Sequence, residues 1–390
     1  INVLPAHEAG FKGQGVRVLM LDTGYIKEHE AIPDSQIVAE WDFINNDGET
    51  QNEDNDDESQ HNHGTYTLSA LGGRFDGELY GPAFEAEFLL AKTEDVTQEV
   101  PIEEDQYVAG LEWGEGLGAD TASSSLGYMD WYQFEDLDGL TAVTTIAVST
   151  AIENGMVVTT AAGNYGSDGI IAPADAFDVI TCGAVDEFDE ITWFSSWGPT
   201  ADGRTKPEVC ARGLDTYCAL PPEYGEGYGG VSGTSLSTPL IGGVCALILQ
   251  AHPDWTPQQV REALMMTASD PENPDNQYGW GIIDVMGTIN YQFMEIVNSV
   301  IVPVDYSISR PFPNPFNPMI HFSVSIFQQS NITLTIFDIY GKEVERLWSN
   351  NIEKGVYPIK WNADGASSGV YFINLNGKNG SVNRKICLQK

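Results

Sequence analysis

Chemistry first becomes plausible in this sequence at Ser232-Gly233-Thr234-Ser235-Leu236-Ser237-Thr238-Pro239, which runs straight into an apolar, small-residue stretch over 240–251. A nucleophilic serine needs its hydroxyl at a tight turn, with backbone N–H groups close enough to hold the oxyanion that its attack creates. Gly233 supplies the turn and Ser235 opens a helix, whose first-turn N–H groups and positive end face the developing charge. Ser and Thr also cap helices for purely structural reasons, so the stretch needs partners. Three candidates precede it: Asp22, ending the run VRVLMLD before Thr23-Gly24; the histidines of His61-Asn62-His63-Gly64-Thr65; and Asn164, between Gly163 and Tyr165. A carboxylate, an imidazole and a hydroxyl can relay a proton, and an amide can donate to an oxyanion. Asp22 and Asn164 also suit ordinary turns, and spacing alone does not separate His61 from His63.

The elements that must position these residues alternate in type. Apolar runs at 16–22, 86–91, 157–162 and 179–185 read as buried strands. Helices are expected from Glu103-Glu104-Asp105 to about residue 117, over 141–154 with Gly155 as stop signal, and from the capping box Thr256-Pro257-Gln258-Gln259 to about residue 267. Residues 121–127 (TASSSLG) are too polar for an ordinary core strand and suit pairing with another chain's backbone. Strands alternating with helices imply one α/β domain with a mainly parallel sheet flanked by helices, and the carboxyl ends of such strands are where sites form. After residue 303 the pattern changes: PFPNPFNP over 311–318 forbids helix, and short alternating segments at 320–326, 332–338, 356–361 and 370–375 predict a small C-terminal all-β sandwich.

The 390-residue chain carries a net charge of −39, unevenly spread. From Asp305 onward nine Lys and Arg outweigh six Asp and Glu by three, so the first 304 residues carry −42. That sign change marks a boundary near 301–309 and divides the chain into residues 1–300, a linker at 301–310 and residues 311–390. Nucleic acid is excluded as a partner, because phosphate binding needs basic surface. The acidic loop 45–60 carries carboxylates at the first, third and twelfth places of a calcium loop over 47–58, but Asn52 stands at the sixth, where an EF-hand needs glycine. Among the five cysteines, Cys182 and Cys245 read as buried hydrophobes, and whether Cys210 and Cys218 pair is open. No run approaches transmembrane length, and the start at Ile1 suggests a processed form that has lost a targeting segment.

The order Asp…His…Ser differs from the Ser…Asp…His order of α/β-hydrolases. On four motifs, LDTG with Asp22, HGT with His63, AAGN with Asn164 and SGTSLSTP with Ser235, residues 1 to about 290 resemble a subtilisin-like serine peptidase, a subtilase. The family's histidine precedes Gly-Thr, so the resemblance selects His63 over His61. It implies Ser235 as nucleophile, His63 as base and Asp22 as its orienting partner, with Asn164 and the Ser235 N–H as oxyanion hole. It further implies that Ser125-Leu126-Gly127 pairs with substrate and that Ala161-Ala162-Gly163 walls the primary specificity pocket. Glu103-Glu104-Asp105, with Glu104 at its centre, would form an acidic rim above the upstream subsites and favour basic substrate residues. No catalytic cofactor is implied; structural calcium is compatible with the family, with no ligands that match residue by residue. Residues 311–390 resemble a type IX secretion sorting domain on PFPNPFNP, IFDIYGKEV, SSGVYFINL and NRKICLQK. Together these imply a secreted or cell-surface serine endopeptidase, engaged by secretion machinery, acting as a monomer on polypeptides and matured from a propeptide.

Overall fold

Between Arg17 and Asp22 stand only apolar residues, a pattern that suits a strand covered on both faces. In the computed structural model, which describes residues 1–32, 34–222, 227–293, 306–309, 311–378 and 380–390, they form such a strand. The chain divides into two units, Ile1–Phe293 and Met294–Lys390. The first begins with α1 (Leu4–Glu8), β1 (Arg17–Asp22), β2 (Ile37–Asp42), α2 (Asn62–Gly72), β3 (Arg74–Phe75), β4 (Leu79–Tyr80), β5 (Glu87–Lys92) and α3 (Ile102–Gly116). It continues with β6 (Thr121–Ser124), α4 (Val143–Asn154), β7 (Val157–Ala161), β8 (Ile180–Val185), β9 (Val209–Arg212), β10 (Thr216–Ala219) and β11 (Tyr228–Val231). Helices α5 (Thr234–Ala251), α6 (Pro257–Thr267) and α7 (Val285–Ile289) close it.

Seven strands form one parallel sheet in the order β2-β5-β1-β6-β7-β8-β9. Successive side chains of a strand face opposite ways, so β1 feeds two cores. Val18 and Met20 pack with Leu68 and Leu71 of α2 and with Ile241, Val244 and Ile248 of α5. Leu19 and Leu21 pack with Tyr107 and Leu111 of α3 and with Val148 and Ile152 of α4. Helix α5 is long and apolar enough to cross a membrane, contrary to the expectation from sequence, but it is buried at the centre of this unit.

The polar segment at 121–127 also differs from expectation. Thr121–Ser124 is a central strand, paired with β1 on one side and β7 on the other, and all four residues are buried. Its small side chains let α5 come close: a Cβ on Gly242 would lie 3.0 Å from both Ser123 Oγ and Thr159 Oγ1. All five cysteines are free thiols; Cys210 lies against the Tyr278 carbonyl and Cys218 against that of Gly229.

The second unit holds β12 (Tyr306–Ile308), β13 (Met319–Ile326), β14 (Ser330–Asp338), β15 (Glu343–Ile352), β16 (Gly355–Asn362), β17 (Gly369–Gly377) and β18 (Gly380–Leu388). Antiparallel sheets β12-β13-β16 and β15-β14-β17-β18 enclose one core, including Phe322, Val324, Leu334, Ile336, Trp361 and Ile373. The linker expected at 301–310 is corrected in part: 306–308 pair with β13 inside the sandwich, while 301–305 and 310 lie outside the described residues. Strand β15 escapes the sequence pattern because most of its residues are exposed, so it lacks a clean apolar alternation.

Candidate active site

Strand β1 ends at Asp22, which is wholly buried yet keeps both carboxylate oxygens engaged. Its Oδ1 accepts from the Thr23 N–H at 2.8 Å and lies 2.6 Å from His63 Nδ1; its Oδ2 accepts from the Thr67 hydroxyl at 2.8 Å. Helix α2 supplies both partners, since His63 and Thr67 stand four residues apart on one face. The helix start comes so near the turn after β1 that a Cβ on Gly64 would collide with the Gly24 carbonyl oxygen. The glycines of LDTG and HGT are thus what allow the acid and the imidazole to meet. Burial works against charge on His63, but the Asp22 carboxylate outweighs it and holds the ring's pKa above its ordinary value.

Ser235 lies in the first turn of α5, with Gly233 as the preceding cap residue. Its hydroxyl donates to the Ser125 carbonyl at 3.4 Å, and Ser125 Oγ donates back to the Ser235 carbonyl at 2.9 Å. No hydrogen bond joins Ser235 to His63 among the described residues, and bonds of that kind are often long or unformed in a site without substrate. Asn164 follows β7, and its Oδ1 accepts from the Thr234 N–H at 2.9 Å and the Thr234 hydroxyl at 3.1 Å. Those bonds fix the amide so that Nδ2, without a hydrogen-bond partner among the described residues, is free to donate. Ser237 and Thr238 turn their hydroxyls back to the Thr234 carbonyl.

A cleft of about 510 Å³ joins these groups, lined by His63, Asn164 and Ser235 together with Ser125, Leu126, Gly127, Ala161 and Gly163. Two expected members are absent. Ala162 is fully buried against Leu137, Ala142 and Ile170, because the residue after Ala161 faces the other side of the chain. Glu104 is also buried, and accepts from Trp131 Nε1 at 2.8 Å and from the Tyr132 hydroxyl at 2.8 and 2.9 Å. The acidic rim is therefore corrected: the cleft carboxylates are Glu94 and Glu99, before α3. Val96, Tyr165 and Ile171 also line the cleft unannounced by any motif, whereas Thr67 could have been found from its i+4 spacing to His63.

One acidic group has the chemistry of a hard-cation site. Asp42, Asp47 and Glu53 each bring a carboxylate oxygen within 4.8 Å of the others. Asp47, then burial and Asp56, raise the Glu53 pKa, the mark of negative charge in surplus. Buried Lys92 offsets part of it, with Nζ 2.7 Å from Asp42 and 2.6 Å from Asp56.

A seven-stranded parallel sheet flanked by helices, with Asp22 at the end of β1, His63 in α2, Asn164 after β7 and Ser235 in α5, has a subtilisin-like fold. Residues 13–281 match the Subtilase family, and residues 310–389 match the secretion system C-terminal sorting domain. Serine protease AprX of Bacillus subtilis is 30% identical over 306 residues, covering 71% of this chain and 66% of that protein. Subtilisin E of Bacillus subtilis is 33% identical over 289 residues, covering 72% and 67%. The chain thus spans about two thirds of the length of these relatives. A solved structure of proteases from Pseudoalteromonas arctica shares the fold at a TM-score of 0.59 and 23% identity, covering 73% of this chain and 92% of that one. The chain belongs to the subtilase family, whose homologues are serine endopeptidases and need no catalytic cofactor. Its type IX sorting domain makes it a secreted or cell-surface protein that engages the secretion machinery.

Proposed function

We propose that this chain hydrolyses peptide bonds of extracellular proteins through Asp22, His63 and Ser235. The observation that carries the proposal is the buried Asp22 carboxylate, held 2.6 Å from His63 Nδ1 at the edge of a cleft that also contains Ser235. Ser235 Oγ attacks the scissile carbonyl while His63 Nε2 takes its proton, and His63 then gives that proton to the leaving amine. Asp22 keeps the proton of the resting ring on Nδ1 and stabilises the imidazolium. Asn164 Nδ2 and the Ser235 N–H receive the oxyanion; in subtilisin itself, losing one such donor costs about 2.7–4 kcal/mol. Water repeats the sequence on the acyl-enzyme.

Ser125-Leu126-Gly127 offers an extended backbone to the peptide, supported by Gly127, whose backbone groups have no partner among the described residues. Ala161 and Gly163 wall the primary pocket. Asp42, Asp47 and Glu53 hold a structural calcium, supported by carboxylate oxygens that lie within 4.8 Å of one another and by the raised carboxyl of Glu53. Action as a monomer and maturation from a propeptide follow the family resemblance. Hydrolysis of casein, an unstructured substrate, tests the reading. Ser235→Ala is expected to reduce kcat about a millionfold, the loss known for subtilisin; undiminished hydrolysis would refute it.

A further inference from the structure

We propose that Glu94 and Glu99, backed by the buried carboxylate of Glu103, form a subsite for a lysine or arginine side chain of the substrate, upstream of the scissile bond. The inference rests on the peptidase reading above and names the substrate that reading leaves open. Each of the three brings one carboxylate oxygen within 4.8 Å of the others, and Glu94 and Glu99 line the same cleft as His63 and Ser235.

Glu94 is the telling member. The residue is 8% exposed, and one carboxylate oxygen, Oε2, accepts from the Tyr128 hydroxyl at 3.1 Å. Its other oxygen, Oε1, has no hydrogen-bond partner among the described residues, and no Lys or Arg among them pairs with any of the three carboxylates. A carboxylate this buried is costly without a counter-charge. Burial, then Glu103 and Glu99 beside it, push its carboxyl up to about 9. An ammonium or guanidinium entering the cleft supplies the missing charge and returns Glu94 to its ionised form.

The group is also built rather than incidental. Glu103 ties the loop together, because its carboxylate accepts from the Val100 N–H at 2.8 Å and the Asp95 N–H at 3.3 Å. Gln60, buried just ahead of His63, donates to the carbonyls of Thr23 and Glu94 and accepts from the Val96 N–H at 3.0 Å. The loop between β5 and α3 is thereby fixed to the turn after Asp22. Tyr128 directly follows the segment proposed to pair with substrate, so its bond to Glu94 ties the carboxylate to the end of that segment. Side chains of an extended peptide alternate in direction, which lets one upstream residue point at the cluster while its neighbours do not.

Peptide pairs that carry lysine or norleucine at each upstream position in turn test the subsite. The wild-type enzyme is expected to cleave at least one lysine peptide with kcat/KM about tenfold or more above its norleucine partner. Glu99→Gln and the nearly isosteric Glu94→Gln are each expected to shrink that ratio severalfold, and Glu99→Lys to invert it. Equal rates for lysine and norleucine at every position, or a ratio that neither variant changes, would overturn the subsite. Hydrolysis of neither peptide would overturn the peptidase reading instead.

Discussion

As the proposed base, His63 sets the pH at which the site is expected to work. Burial alone would lower its pKa, and the Asp22 carboxylate more than reverses this, placing it above the ordinary 6.5. A general base acts only when neutral, so kcat/KM is expected to fall as pH drops through a value above 6.5. The same shift contributes folding stability that is present below pH 6.5 and is lost as pH rises through the folded-state pKa. A profile of kcat/KM against pH checks the first point; an acid limb below 6.5 would contradict it. At this scale the sequence pointed by residue type and order to Asp22, His63, Asn164 and Ser235, and the structure brings Asp22 against His63 and places His63, Asn164 and Ser235 round one cleft. The sequence was not legible at Glu104. Three adjacent acids look like a solvated rim, yet Glu104 is buried because Trp131 and Tyr132, far along the chain, return to donate to it.

Elements meet where side chains are missing. Gly64→Ala is expected to push α2 away from the Gly24 carbonyl and carry His63 off Asp22, since the added Cβ would collide with backbone that cannot swing aside. A displacement near 1 Å costs roughly a hundredfold in rate, so kcat/KM should fall by about that factor, with a lower Tm. Gly116→Ala is the control, a site in α3 where a Cβ meets open space and the helix gains propensity. Equal activity of the two variants would contradict the account. Element type was readable from local signals: Gly155 ends α4 in the left-handed conformation, and Thr256 and Gln259 form the predicted capping box. What local signals could not convey was partnership. Thr121–Ser124 looks like an edge by composition, but it lies between β1 and β7, and its small side chains fit against α5 where Gly242 leaves no room for a Cβ.

Across the whole molecule, charge separates the two units: the acidic excess lies before residue 305, and the sorting domain carries a small basic excess. If calcium occupies Asp42, Asp47 and Glu53, EDTA is expected to lower Tm by several degrees and added calcium to restore it, because the ion binds only the folded loop. An unchanged melting curve would refute that site. The units were separable in sequence by this charge change and by the proline run, whereas the exact join was not, because β12 adds only three residues to the sandwich before that run. The central claim is that Ser235 is the activated nucleophile. A serine-directed phosphonate is expected to add one covalent label per chain, mapped to Ser235 by peptide mass spectrometry and absent from Ser235→Ala. No label on the wild-type protein, or a label that persists in the variant, would contradict it.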